Sequence, residues 1–227
     1  MLPRSIRRGL LAGVVTLAAA SSAHAAGFGL GRNGHDLADA SPAQVSASAL
    51  YSLAALPDEE VLERGQSTLA RTREGVALTI NAANLEPNAA YTVWWVIWNK
   101  PEQCLDRFEC GPADLGADGN AVFYANGRVT DDFGQATFIA SLNYGEGSEG
   151  LAADQVMLPG ALETRRAQVS AIVRTHKDVD SLSENGDLAD ALNSLIGGCA
   201  DDPRTPTPDD GPGAAACEDQ YIVVHRR

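Results

Sequence analysis

From Tyr91 to Trp98 every position is aromatic or β-branched, and all three tryptophans of the chain fall in this run. Such residues favour the extended, pleated backbone, so the run is predicted to be a strand. Alternation puts Tyr91, Val93, Trp95 and Ile97 on one face and Thr92, Trp94, Val96 and Trp98 on the other, which leaves neither face polar. A strand of this kind is either central in its sheet and covered twice, or it offers one face to a ligand. Further runs of strand character surround it, at 67–72, 75–82, 120–130, 135–142, 167–175 and 220–225, with turns rich in Gly, Pro, Asn and Asp between them. The turn Glu86-Pro87-Asn88 feeds the Trp strand and suggests that it lies antiparallel beside 75–82, while Asn126-Gly127 marks a tight turn or a bulge. Helical spacing stands out at Leu188, Ala191, Leu192, Leu195 and Ile196, with Glu184 and Asp187 ahead of it and Gly197 placed to end it.

These elements, with no β-α-β alternation and no internal repeat, predict an all-β fold: an antiparallel immunoglobulin-like β-sandwich with one late α-helix and two disulfides. The disulfides follow from compartment. Arg4, Arg7 and Arg8 precede an apolar stretch that ends in Ala23-His24-Ala25, the pattern of a cleaved signal peptide over 1–25. The expected product is secreted or periplasmic, with 26–65 a leader, partly disordered or helical, and 66–227 the β-sandwich domain. In an oxidising compartment the four cysteines are expected to pair. Cys104 with Cys110 and Cys199 with Cys217 is the predicted set, because each pair brackets a turn-rich loop. Zinc held by these sulfurs is the weaker reading, since no C-x-x-C spacing occurs.

Charge narrows the partners. The formal net charge of −13 becomes −16 once three arginines leave with the signal and no acid does. Nucleic acid and anionic membrane both reward clustered Lys and Arg, so neither is an expected partner. No second apolar run is long enough to span a bilayer, so no membrane insertion is expected.

The segments Tyr91-Thr-x-Trp-Trp-Val-x-x-Asn-x-Pro-x-x-Cys104, Arg174-Thr-His176 and Cys217-Glu-Asp-Gln220, the last running on to Val224-His225, resemble a family of uncharacterised secreted bacterial single-domain proteins. The resemblance spans roughly 66–225 and departs at Trp98, where Phe is expected. It implies a secreted single domain and no particular activity. The stretch 113–120 also echoes a loop of copper-zinc superoxide dismutases, but the His-x-His copper ligands are absent, which removes that activity.

Three groups of residues are left to carry chemistry. His176 and His225 end predicted strands; were those ends neighbours, the imidazoles with Asp178 or Asp219 would form a metal site of two histidines and a carboxylate, suited to copper or zinc. Acidic turns at Asp114, Asp118 and Asn120, at Asp131 and Asp132, and at Asp178, Asp180 and Glu184 offer oxygens to calcium, although solvated turns are the commoner outcome and no EF-hand spacing is present. Trp94 and Trp98 lie about 13 Å apart on one strand face, a spacing that suits the repeating rings of a glycan, with core packing as the favoured alternative. No serine elbow and no unpaired cysteine supply a nucleophile. The expected function is a binding or interaction module of the cell envelope, with a glycan or an envelope protein as partner; the alternative is a metal-dependent enzyme using His176 and His225.

Overall fold

In the computed structural model the described residues are 43–54, 60–106, 110–116 and 118–226. The expected signal peptide, 1–25, and the stretch 26–42 lie outside them. Nine strands form one hydrogen-bonded sheet: β1 (Gln44–Ser52), β2 (Val61–Arg71), β3 (Gly75–Ala82), β4 (Ala89–Trp98), β5 (Asn120–Val129), β6 (Ala136–Asn143), β7 (Val156–Leu158), β8 (Gln168–Asp178) and β9 (Glu218–His225). Their order is β6-β3-β2-β1-β9-β8-β4-β5-β7, and every pairing is antiparallel.

The sheet curls into a half-barrel. β5 and β6, far apart in ladder order, are joined by a tight turn, and Asn126 Nδ2 donates to Ile139 O across them at 3.1 Å. The chain is thus antiparallel β with two disulfides, as expected, but its strands do not divide into the two facing sheets of an immunoglobulin-like sandwich. One curled sheet encloses its own core. Nor does β4 lie beside β3. It pairs with β5 and β8, and the turn at 86–88 carries the chain from one part of the sheet to another.

β4 is buried at all ten positions, with different neighbours on its two faces. Tyr91, Val93, Trp95 and Ile97 point into the concave core with Leu69, Ile80, Phe123, Phe138, Val173 and Val223. On the convex face Val96 and Trp98 pack with Val122 against the Cys104–Cys110 disulfide, while Ala90 packs with Leu182 and Ala191 from the late helical segment. Two covering segments therefore close the outer side of the strand, and the second is tied by Cys199–Cys217.

Three elements differ from the sequence expectation: β1, the late helix and the short β7, which falls in a stretch where no strand was expected. The segment read as a leader contributes β1, which pairs with β2 and β9, so the sheet begins at Gln44 and not near residue 66. The late helix is two short pieces, α1 (Val179–Asn185) and α2 (Leu188–Ala191). α1 is capped by Asp178, which accepts from Ser181 N at 2.8 Å, and ends at Gly186 with φ 81°. α2 stops after one turn because Asn193 and Ser194 side chains bond back to the carbonyls of Ala189 and Asp190, while Leu195 N turns away to Asp154 O.

Candidate functional site

The convex face of the Trp strand is not a binding platform. Trp94 is 1% exposed, donates from Nε1 to Thr92 Oγ1 at 2.9 Å and meets Tyr124 edge-on at 5.9 Å between ring centroids. Trp98, also 1% exposed, lies under the first disulfide. Both rings are packed in the interior, the favoured reading of the sequence, and neither offers a face to a glycan.

The metal set of two histidines is not assembled either. β8 and β9 run antiparallel with Val169 opposite His225 and Thr175 opposite Glu218. His176 is thus seven residues along β8 from the partner of His225, about 23 Å at the usual strand rise. Asp178 caps α1, and Asp219 pairs with Arg174 at 2.8 Å. The acidic turns are likewise occupied by backbone: Asp114 accepts from Leu105 N and Gly111 N, and Asp131 from Phe133 N and Gln135 N. Among the described residues no cluster of carboxylates suited to calcium forms.

Each histidine instead anchors its own buried network. His176 is the extra residue of a β-bulge, since Tyr91 pairs with Thr175 and Ala90 with Lys177, and Lys177 takes up the distortion at φ 70°. The bulge aims the ring at the covering segment. Nδ1 donates to Gly197 O at 2.9 Å, and Nε2 accepts from the hydroxyl of Thr92 at 2.9 Å, whose oxygen in turn accepts from Trp94. Nδ1 also lies 3.5 Å from Cys199 Sγ and 3.6 Å from Cys217 Sγ. Burial pushes this imidazole down to about 4, with the Arg174 charge adding to the effect against the Gly197 bond.

His225 stands at the opposite end of the sheet, beside a place where the ladder opens. β1 and β9 share only two residue pairs, Tyr51 with Ile222 and Ser52 with Tyr221. Beyond these, serine side chains replace backbone partners: Val224 N donates to Ser48 Oγ at 3.1 Å, and Ser46 Oγ meets His225 Nδ1 at 3.0 Å. Ser67 Oγ is 2.9 Å from Nε2 and 3.2 Å from Ser48 O. The proton placement that satisfies every group has Ser67 donating to Ser48 O, Nε2–H donating to Ser67, and Nδ1 accepting from Ser46. Arg71, 4% exposed, donates from Nη2 to His225 O at 3.1 Å. Burial first, and then the Arg71 charge, push the His225 imidazole down to about 4.

A cleft of about 530 Å³ lies over this opening. Ala47, Tyr51, Ile222, Val224 and Pro112 give it apolar walls, while Ser46, Ser48, His225 and Arg226 supply polar groups. That volume and mixture are typical of small-molecule sites.

Compared with known proteins, the chain matches no family model, no curated protein and no solved structure. Function rests on geometry.

A serine hydroxyl on an imidazole suggests nucleophilic catalysis, but the surroundings oppose it. A useful base has a pKa near the working pH, and here no carboxylate among the described residues is seen to steady the imidazolium while a buried guanidinium repels it. The neutral ring serves as a fixed donor at Nε2 and a fixed acceptor at Nδ1. Sequence reasoning missed Ser46, Ser48, Ser67 and Arg71, although the alternation Val45-Ser-Ala-Ser-Ala-Leu50 carried a period of two that the small side chains concealed.

Proposed function

We propose that this protein is a secreted or periplasmic binding module whose ligand is a compact amphiphile held in the cleft between β1 and β9. The export pattern of the N-terminus and the two disulfides support the compartment. The observation that carries the binding role is the opened ladder, where hydroxyls of Ser46 and Ser48 and the neutral imidazole of His225 stand in for backbone partners beside apolar walls. An apolar body fits against Tyr51, Ile222 and Val224, and a hydrogen-bonding head reaches the serines and Arg226. With Trp94 and Trp98 buried, nothing favours stacking of glycan rings on the Trp strand.

Isothermal titration with octanoate and with octyl glucoside tests this, since the two share an apolar tail and differ in head charge. Ala47→Trp fills the cleft from an exposed position and should abolish binding of whichever probe binds, with an unchanged melting temperature. Binding that survives the substitution, or no binding of either probe to the parent, refutes the proposal.

A further inference from the structure

His176 and the second disulfide lie at the other end of the sheet from the cleft, and their geometry is independent of it. We propose that reduction of Cys199–Cys217 creates a zinc site whose ligands are the two thiolates and His176 Nδ1. The three donor atoms lie within 4.8 Å of one another. In a tetrahedral zinc site with Zn–S near 2.3 Å and Zn–N near 2.0–2.1 Å, the edge from nitrogen to sulfur is about 3.6 Å. Nδ1 already stands 3.5 Å and 3.6 Å from the two sulfurs. The imidazole therefore needs no movement: the sulfurs must separate, which loss of their bond permits, and Gly197 O must withdraw from its hydrogen bond to Nδ1 to make room for the ion. A water completes the coordination, because Gly197 O at 2.9 Å from Nδ1 is closer than the roughly 3.4 Å edge between a nitrogen and an oxygen ligand.

The outer partners suit a ligand. A histidine that binds metal through one nitrogen is oriented by a hydrogen bond from the other. Nε2 already faces Thr92 Oγ1, which is held in place by Trp94 Nε1. With metal bound, the ring proton moves to Nε2 and is donated to Thr92, freeing the Nδ1 lone pair. Charge selects the ion: two thiolates cancel the charge of Zn(II) and leave a neutral buried centre, whereas Cu(I) would leave a net negative charge to be buried.

The chemistry balances with a dithiol as reductant. Its thiolate attacks the half-buried Cys217 sulfur, and Cys199 leaves as thiolate beside the Nδ1–H of His176. The second thiol of the reagent closes its own disulfide, two electrons and two protons pass to the protein, and zinc then displaces both thiol protons to solvent.

The test uses a Cys104→Ser/Cys110→Ser chain, so that one disulfide remains, reduced with dithiothreitol, freed of reagent under argon and titrated with Co(II) and then Zn(II). The expected result is one equivalent of Co(II) with thiolate charge-transfer and tetrahedral d–d absorption, displaced by Zn(II), and at least tenfold weaker binding in His176→Gln. Absence of those bands, equal affinity in His176→Gln, or unfolding on reduction that Zn(II) does not reverse overturns the proposal. If the double substitution itself prevents folding, the natural chain is reduced and alkylated with and without Zn(II). Protection of Cys199 and Cys217, but not of Cys104 and Cys110, is then the expected result, and equal alkylation of all four contradicts it.

Discussion

His176 and His225 are both neutral in the folded protein and both satisfied, yet they stand in unrelated networks. Each titrates near pH 4 when folded and near 6.5 when free, so the unfolded chain takes up protons first as pH falls. Their contribution is fully present above about pH 6.5 and is lost as pH drops towards 4, on the order of 3 kcal/mol for each residue. Chemical denaturation at pH 7 and pH 4.5 should show this loss, and His176→Gln and His225→Gln should each remove part of the slope. An unchanged slope in both variants would contradict buried neutral rings. Trp95 makes a second case at this scale: 2% exposed in the concave core, it should cost about 3 to 5 kcal/mol when replaced by Ala, seen as a lowered denaturation midpoint. The sequence showed that the histidines end strands. It did not show that they end opposite ends, because the register of β8 against β9 depends on long-range pairing that no local residue encodes.

Among the elements, β4 was the most legible, since eight consecutive β-favouring residues leave no other local structure and predict burial of both faces. What covers its convex face was less so. The two disulfide-closed segments consist of turns, and turns reveal little about what they lie against. Loop closure gives their expected worth: about 3 kcal/mol for Cys199–Cys217 and nearer 2 kcal/mol for the shorter Cys104–Cys110 ring. Denaturation of Cys199→Ala/Cys217→Ala and of Cys104→Ala/Cys110→Ala should rank in that order. Because the first segment shields Trp98 and the second shields the face that carries Trp94, acrylamide should barely quench the native protein and should quench the variants more. Strong quenching of the native chain would show that a face of β4 is open. β1 escaped notice for the opposite reason to β4: Ser and Ala are poor strand formers, and its extended form comes from pairing with β2 along Gln44–Ala49.

At the scale of the molecule, nine antiparallel strands among the described residues curl around the concave core, and the ladder opens where β1 leaves β9. Apart from β1 and β7, the strands were readable from period-two patterns, whereas one curled sheet and two stacked sheets share the same local signals and differ only in which edges meet. That difference matters for function, because the cleft exists only through the insertion of β1 between β2 and β9. The most direct measurement is a titration of the ¹⁵N-labelled protein with octanoate, and separately with octyl glucoside, followed by amide chemical shifts. A probe that binds should move the amide resonances of 46–51, 110–111 and 222–226 while those of 92–98 and 176 stay in place; shifts centred on the Trp strand, or none with either probe, would contradict a cleft between β1 and β9 as the binding site.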